Sequence, residues 1–319
     1  MTRSAVNCVS PDRARNTRIR EIFREQKGRN FVTTAAFTVS GFGDEIASDP
    51  SEQLAVLAGL GIRHLDLRGA WDRNVLEFTD QDVEALGALL QEQRATVAMI
   101  ASPVGKSPIT EPAAYEAERL KAALRLAAAF ETPLIRVFSF YHEGIAHADC
   151  RDDIVARLRG WAATAEQAGV TLLLENEAGL WTDTPAHCQE ILSAVDSPAL
   201  RFTLDAGNFV TVGAAAHDDG YTLLRPWVHH LQIKDVKALD AQAGTRKVVP
   251  AGQGDAQLPA LLAAAHRDGY QGYLSLEPHL AVAGKAGGFS GAGLFGEAAG
   301  ALQTILADLH QGDAAAGTP

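Results

Sequence analysis

The chain has 319 residues, 47% of them hydrophobic and 21% charged, proportions of an ordinary globular protein with apolar material for a sizeable core. Its 28 Lys and Arg against 39 Asp and Glu give a formal charge of −11, which repels phosphate backbones and speaks against a nucleic-acid partner. Three distant cysteines, Cys8, Cys150 and Cys188, exclude a disulfide scaffold and a thiolate zinc site, and no run of about 18 apolar residues is present to span a membrane.

Residues 1–36 read as a basic arm. The first thirty positions carry eight basic and three acidic side chains, a local +5 that leaves −16 for the remainder. This stretch is poor in apolar residues and lacks steady periodicity, so a disordered or loosely docked arm is expected, with a partner-binding or oligomer-bracing arm as the alternative. It also lacks the apolar core of a secretory signal, which makes the cytoplasm the expected address.

From residue 37 to about 310, short β-branched runs alternate with longer amphipathic ones, the pattern of βα units around a parallel sheet. The expected strands are Phe37–Phe42, Ile62–Leu67, Thr96–Ala101, Leu134–Phe140, Val170–Glu175, Leu200–Asp205, Val228–Lys234 and Gly272–Glu277. Helix starts are marked by Asp49-Pro50-Ser51-Glu52, by Thr79 with Asp80 and Asp82, and by Thr184-Pro185. The gap after the sixth strand is weakest, with a turn or two over His217–Arg225. Eight strands followed by helices make an α/β (β/α)8 TIM barrel; no G-x-G-x-x-G follows the first strand to favour a doubly wound sheet. Residues 311–319, rich in Ala and Gly, read as a disordered tail.

Chemistry in such a barrel gathers where strands exit at the C-terminal face. Three of the last four strands end in a carboxylate, at Glu175, Asp205 and Glu277. Neighbouring buried acids need compensating positive charge, which a divalent cation or an Arg/Lys network can supply. Arg136 and Lys234 could neutralise two of them, but the spacing over successive βα units aims all three acids at one mouth. Asp44, Glu45, Asp66 and Arg68 exit there from the first two strands and are expected to bind each other and substrate hydroxyls.

These residues carry a family resemblance. LLLENE at the fifth strand, FTLDAGN at the sixth, HLQIKD at the seventh, VVPAGQGD after it and LSLEPH at the eighth resemble the xylose isomerase-like TIM-barrel superfamily of sugar and sugar-phosphate isomerases and epimerases, over about Phe37 to Leu309. The resemblance implies that Glu175, Asp205 and Glu277 are three of four metal ligands. At the fourth, where relatives usually carry His, stands Gln232. It is expected to ligate through its amide oxygen; His230, two residues deeper, and a water-completed three-ligand site are the alternatives. Three carboxylates and an amide suit Mn²⁺ or Mg²⁺ ahead of Zn²⁺, with Co²⁺ able to substitute.

Such an ion would polarise a carbonyl and stabilise the enediolate formed when the adjacent carbon loses a proton. By resemblance, Glu175 and Glu277 double as ligands and acid/base pair, giving epimerisation or aldose–ketose isomerisation of a small carbohydrate, with a homo-oligomer compatible. Arg136, His142, Glu177, Asn208 and Lys234 are candidate substrate contacts. Each has a bland alternative: ion pairs for Arg136 and Lys234, a loop histidine, a solvated Glu177. Glycine-rich loops at 251–255 and 283–291, with Lys285 and Ser290, raise a phosphorylated substrate. Rival readings are a dehydratase or lyase acting on a keto-sugar, and a non-catalytic sugar-binding barrel. A DNA-repair nuclease would need more histidines at these strand ends.

Overall fold

The protein is described here by a computed structural model covering residues 37–240, 245–284 and 287–316. The arm 1–36 and residues 317–319 lie outside the described residues.

Eight strands, β1 (Thr38–Phe42), β2 (His64–Leu67), β3 (Thr96–Ile100), β4 (Leu134–Val137), β5 (Thr171–Glu175), β6 (Leu200–Asp205), β7 (Val228–Ile233) and β8 (Tyr273–Leu276), form a closed barrel. Every neighbouring pair is parallel, and β8 returns to pair with β1. All eight expected strands are present, each within a few residues of its expected bounds.

The helices are α1 (Pro50–Gly59), α2 (Asp80–Gln93), α3 (Ala113–Ala129), α4 (His147–Gln167), α5 (Pro185–Val195), α6 (Ala206–Thr211), α7 (Leu258–Arg267) and α8 (Gly291–Ala316). Their starts follow the capping chemistry. The Asp49 carboxylate accepts the Ser51 N–H with Pro50 in the first turn, and Thr79 and Asp82 form a reciprocal capping box. Thr184 accepts the His187 N–H ahead of α5. After β6 the chain makes α6 at once, then a π-helical turn at Ala216–Tyr221. Helix α8 carries the backbone to Ala316, past the change in composition at Gln311. No helix among the described residues is long and apolar enough to cross a membrane.

Alternation along the strands divides the molecule. Outward residues such as Ile135, Val137, Leu172, Leu174, Leu204 and Leu231 join the helices in one large apolar layer. Inward residues form a smaller cluster of Phe42, Met99, Ala101, Leu134 and Leu173. Above and beside it the interior turns polar, with Ser40, Asp66, Thr203, His230 and Ser275 all fully buried. His230 Nδ1 lies 3.0 Å from Thr203 Oγ1, one inward layer below Gln232.

Candidate active site at the barrel mouth

Register brings the strand-end residues together. Glu175 pairs across with Thr203, Asp205 with Gln232, and Gln232 with Ser275 two positions before Glu277. One carboxylate oxygen each from Glu175, Asp205 and Glu277 lies within 4.8 Å of the others, and all three residues are buried. Gln232 is fully buried too; its Nε2 donates to Glu175 Oε2 at 2.9 Å, while its Oε1 has no hydrogen-bond partner.

The acids do not stand alone. Arg136 Nη1 sits 3.1 Å from Glu175 and 3.8 Å from Glu277, its guanidinium over the Phe42 and Phe138 rings. Lys234 Nζ pairs with Asp205 and lies 3.4 Å from Glu277 Oε2. Arg68, on the turn after β2, reaches Glu277 Oε1 and Asp44 Oδ2 at 2.7 Å each and Glu45 at 3.5 Å. The expected mutual binding of Asp44, Glu45 and Arg68 is thus present and extends across the β1–β8 seam.

These charges set proton affinities. Burial lifts Glu175 to about 7, against the opposing pull of Arg136. Asp205 is also raised by burial despite Lys234. Burial acts the same way on Glu277, but Lys234, His279 and Arg68 outweigh it and hold its carboxyl well below the usual range. Burial pushes Asp66 up to about 6 and His230 down to about 3.

Backbone chemistry fixes the frame. The Asn176 side chain accepts the Asp205 N–H at 2.8 Å and donates to the Asp205 carbonyl at 3.0 Å, tying the end of β5 to that of β6. Asp205 Oδ1 caps α6 through the Asn208 N–H, and the Asn208 amide donates to the Asn176 carbonyl. Gly207 admits Lys234: a Cβ there would stand 2.9 Å from Lys234 Cγ and 3.1 Å from its carbonyl. Asp235, rather than pairing with Lys234, accepts the N–H groups of Val236, Gly252, Gly254 and Ala256. The amides of that glycine-rich loop therefore already hold a carboxylate. In the second loop, Ser290 donates to Glu45, and Lys285 lies outside the described residues.

A cavity of about 1290 Å³ opens at this mouth and is lined by Arg136, Glu175, Glu177, Asn208, Lys234 and Glu277 among others. Glu177 is held by Lys106 at 2.6 Å on its wall. His142 is not among the lining residues; its Nδ1 faces the Ile145 carbonyl at 3.0 Å and its ring lies against His147. Two contributors escaped sequence reasoning. Lys106 sits in an irregular loop with no local signal. His279, two residues past Glu277, adopts φ of 48° and places Nε2 3.0 Å from Glu45 and 3.5 Å from Glu277; the dipeptide Pro278-His279 after a strand-end acid was a usable hint.

The residues fit a hard divalent cation. Gln232 Oε1 is a buried acceptor left unmet beside three clustered carboxylate oxygens, and an all-oxygen donor set suits such an ion.

Comparison with known proteins agrees with this architecture. A sequence family described as xylose isomerase-like TIM barrel matches residues 54–302. A 3-dehydroshikimate dehydratase of Bacillus anthracis is 32% identical over 92 residues, covering 28% of this chain and 32% of that protein, so the match spans about a third of the relative's length. A xylose isomerase-like TIM barrel protein from Mycobacterium smegmatis in complex with magnesium superposes with a TM-score of 0.68 at 17% identity, over 86% of this chain and 98% of that one. The 3-keto-D-glucoside 4-epimerase of E. coli does so with a TM-score of 0.61 at 15% identity, over 86% of this chain and 100% of that one.

Proposed function

The chain belongs to the xylose isomerase-like TIM-barrel family, and from that premise we propose that it is a divalent-metal-dependent enzyme that moves a proton at the carbon beside a carbonyl of a small polyhydroxylated substrate, as a sugar isomerase or epimerase. The observation that carries this reading is the meeting of carboxylate oxygens of Glu175, Asp205 and Glu277 within 4.8 Å, with Gln232 hydrogen-bonded to Glu175 and its amide oxygen unmet. Those four residues would hold the ion, Mn²⁺ or Mg²⁺ by their oxygen donors. When bound it supplies positive charge to the oxygen on which negative charge develops as the proton leaves.

The chain's own residues do the rest. Burial favours the protonated form of Glu175 against the pull of Arg136, before any bound cation adds its own, and its place at the end of β5 suits it to exchange a proton with a substrate carbon. Glu277 enters from a strand separated from β5 by two others, stays ionised under Lys234, His279 and Arg68, and faces the substrate from another side. With the ionised Glu277 taking the proton and Glu175 returning one to the same carbon from the other side, an epimer forms; return to the neighbouring carbon by the group that took the proton gives an isomer. Arg136 and Lys234 limit repulsion among the acids, and Asn208 and the Glu177–Lys106 pair on the cavity wall offer hydrogen bonds to hydroxyls. An unphosphorylated substrate is favoured, because Asp235 fills the amide nest of the loop after β7.

A second reading, a dehydratase on a keto-substrate, is favoured by the 92-residue match to a 3-dehydroshikimate dehydratase. The same proton abstraction would then expel a β-hydroxyl as water. Both are tested by stripping metal with a chelator, restoring Mn²⁺ or Mg²⁺, and following deuterium uptake from heavy water into a panel of ketoses, keto-sugars and keto-acids by mass spectrometry. Metal-dependent uptake with no mass change beyond the deuterium gained supports the isomerase, loss of one water supports the dehydratase, and exchange indifferent to metal or to Glu175→Gln defeats both.

A further inference from the structure

Outside the cavity lining, three of the chain's ten histidines gather where α4 and α5 begin. His147 opens α4 and His187 lies in the first turn of α5, one turn after Asp183. The sequence T-D-T-P-A-H explains the second half: Thr184 caps the helix through the His187 N–H, and this turn sets His187 Nδ1 2.9 Å from Asp183 Oδ1. The two helix starts are joined by the Trp181 indole, which donates to the His147 carbonyl at 3.1 Å. The His147 and His187 rings then face each other with centroids 4.2 Å apart, and His142 lies 4.1 Å from His147 on another side.

We infer that His147, Asp183 and His187 form a second metal site, chemically distinct from the barrel mouth and suited to zinc. One ligand atom from each lies within 4.8 Å of the others. Four-coordinate zinc with bonds of about 2.0–2.1 Å wants its donors roughly 3.3 Å apart, so the stacked His147 and His187 rings would have to turn for their lone pairs to converge on one ion. Packing alone does not account for the cluster. His147 Nε2 is buried with no hydrogen-bond partner, and a buried polar atom left unmet is destabilising. A metal bond would satisfy that nitrogen.

Two imidazole nitrogens and a carboxylate form the borderline donor set that prefers zinc over Mg²⁺ or Mn²⁺, whereas the mouth offers oxygens. The positive ends of two helix dipoles oppose a cation here, and Asp183 supplies the offsetting negative charge. His187 and Asp183 keep side-chain exposures of 31% and 22%, so an ion has a route in. Water completes the coordination. The bound ion would pin the loops after β4 and β5, the second of which begins at Asn176 and Glu177.

The test uses the full-length Glu175→Gln/Glu277→Gln protein, in which the mouth is disabled, titrated with Zn²⁺ in competition with a chromophoric chelator. One zinc per chain is expected, together with a higher thermal midpoint. Adding His187→Gln or, separately, His147→Gln should weaken that zinc at least tenfold and remove the rise in midpoint. In otherwise wild-type protein loaded with Mn²⁺ at the mouth, His187→Gln should leave deuterium exchange unchanged, which reports on its folding. Cobalt gives an independent readout: the strong visible absorption of four-coordinate Co²⁺ should survive Glu277→Gln and vanish in His187→Gln. Zinc binding absent from the background protein, or equal with and without the two histidines, overturns the inference.

Discussion

The two halves of the barrel contribute different groups to the mouth. From β5 to β8 come the oxygen donors, Glu175, Asp205, Gln232 and Glu277, each at or beside a strand end. From β1 to β4 come Arg68 and Arg136, which reach across the lumen to Glu277 and Glu175, along with Asp44 and Glu45, which steady Arg68. Lys234, bound to its own strand neighbours, and His279, beside Glu277, are the exceptions on the second half. The division teaches that the acids and the charges that make them tolerable are far apart in sequence. One half carries the proposed chemistry, and the other makes its burial affordable in a folded chain.

The comparison can be broken first on the donor side. Glu277→Gln removes a proposed ligand and proton-transfer group together, and metal-dependent deuterium exchange should fall by about 10²–10⁴-fold while circular dichroism stays unchanged. On the cation side, Arg136→Met leaves Glu175 buried without its guanidinium. Breaking a buried pair costs about 3–5 kcal/mol, so urea unfolding of chelator-treated protein should shift by that order, and added Mn²⁺ should restore part of it.

Asp235→Asn lies outside both sets and weakens the four amide contacts that shape the loop after β7. A loss of about 1–3 kcal/mol in urea unfolding is expected, with a higher KM and a smaller change in kcat. The smallest effect is on pH. Because burial raises Asp66 from 3.8 to about 6, its folded form holds the proton more tightly than its unfolded form. Its stabilising contribution is therefore full below about pH 4 and is lost as pH rises through about 6. Asp66→Asn should remove that slope, so the thermal midpoint gains on wild type between pH 4.5 and 7.5; an equal gap at both ends would show that Asp66 is not the group responsible.

The barrel was legible in the sequence because its signals are local. Short apolar, β-branched runs, caps at Asp49, Thr79 and Thr184, and Pro50 and Pro185 in first turns each declare an element within a few residues. Strand-end acids were legible for the same reason. What pairs with them was not. Arg136 and Lys234 each had two or three candidate partners, and the choice depended on barrel register: Lys234 met Asp205 and Glu277, while Asp235 turned to backbone amides. His142 was placed near the substrate by its position just past a strand, yet its ring is turned to the Ile145 carbonyl, meets His147 in a tilted contact and does not line the cavity. The histidine cluster itself joins positions forty residues apart and leaves no mark in local spacing.

The β1–β8 seam has a consequence for biosynthesis. Arg68 meets Glu277, Ser290 meets Glu45, and Ser275 meets Asp66, pairs separated by more than two hundred residues. A nascent chain that has emerged only through β7 holds half of these groups with no counterparts, and loop closure over such spans is slow. The pocket therefore comes into being at the very end of folding, and a polypeptide cut short anywhere before Ser290 should be inert and a ready client for chaperones rather than a weakened version of the whole.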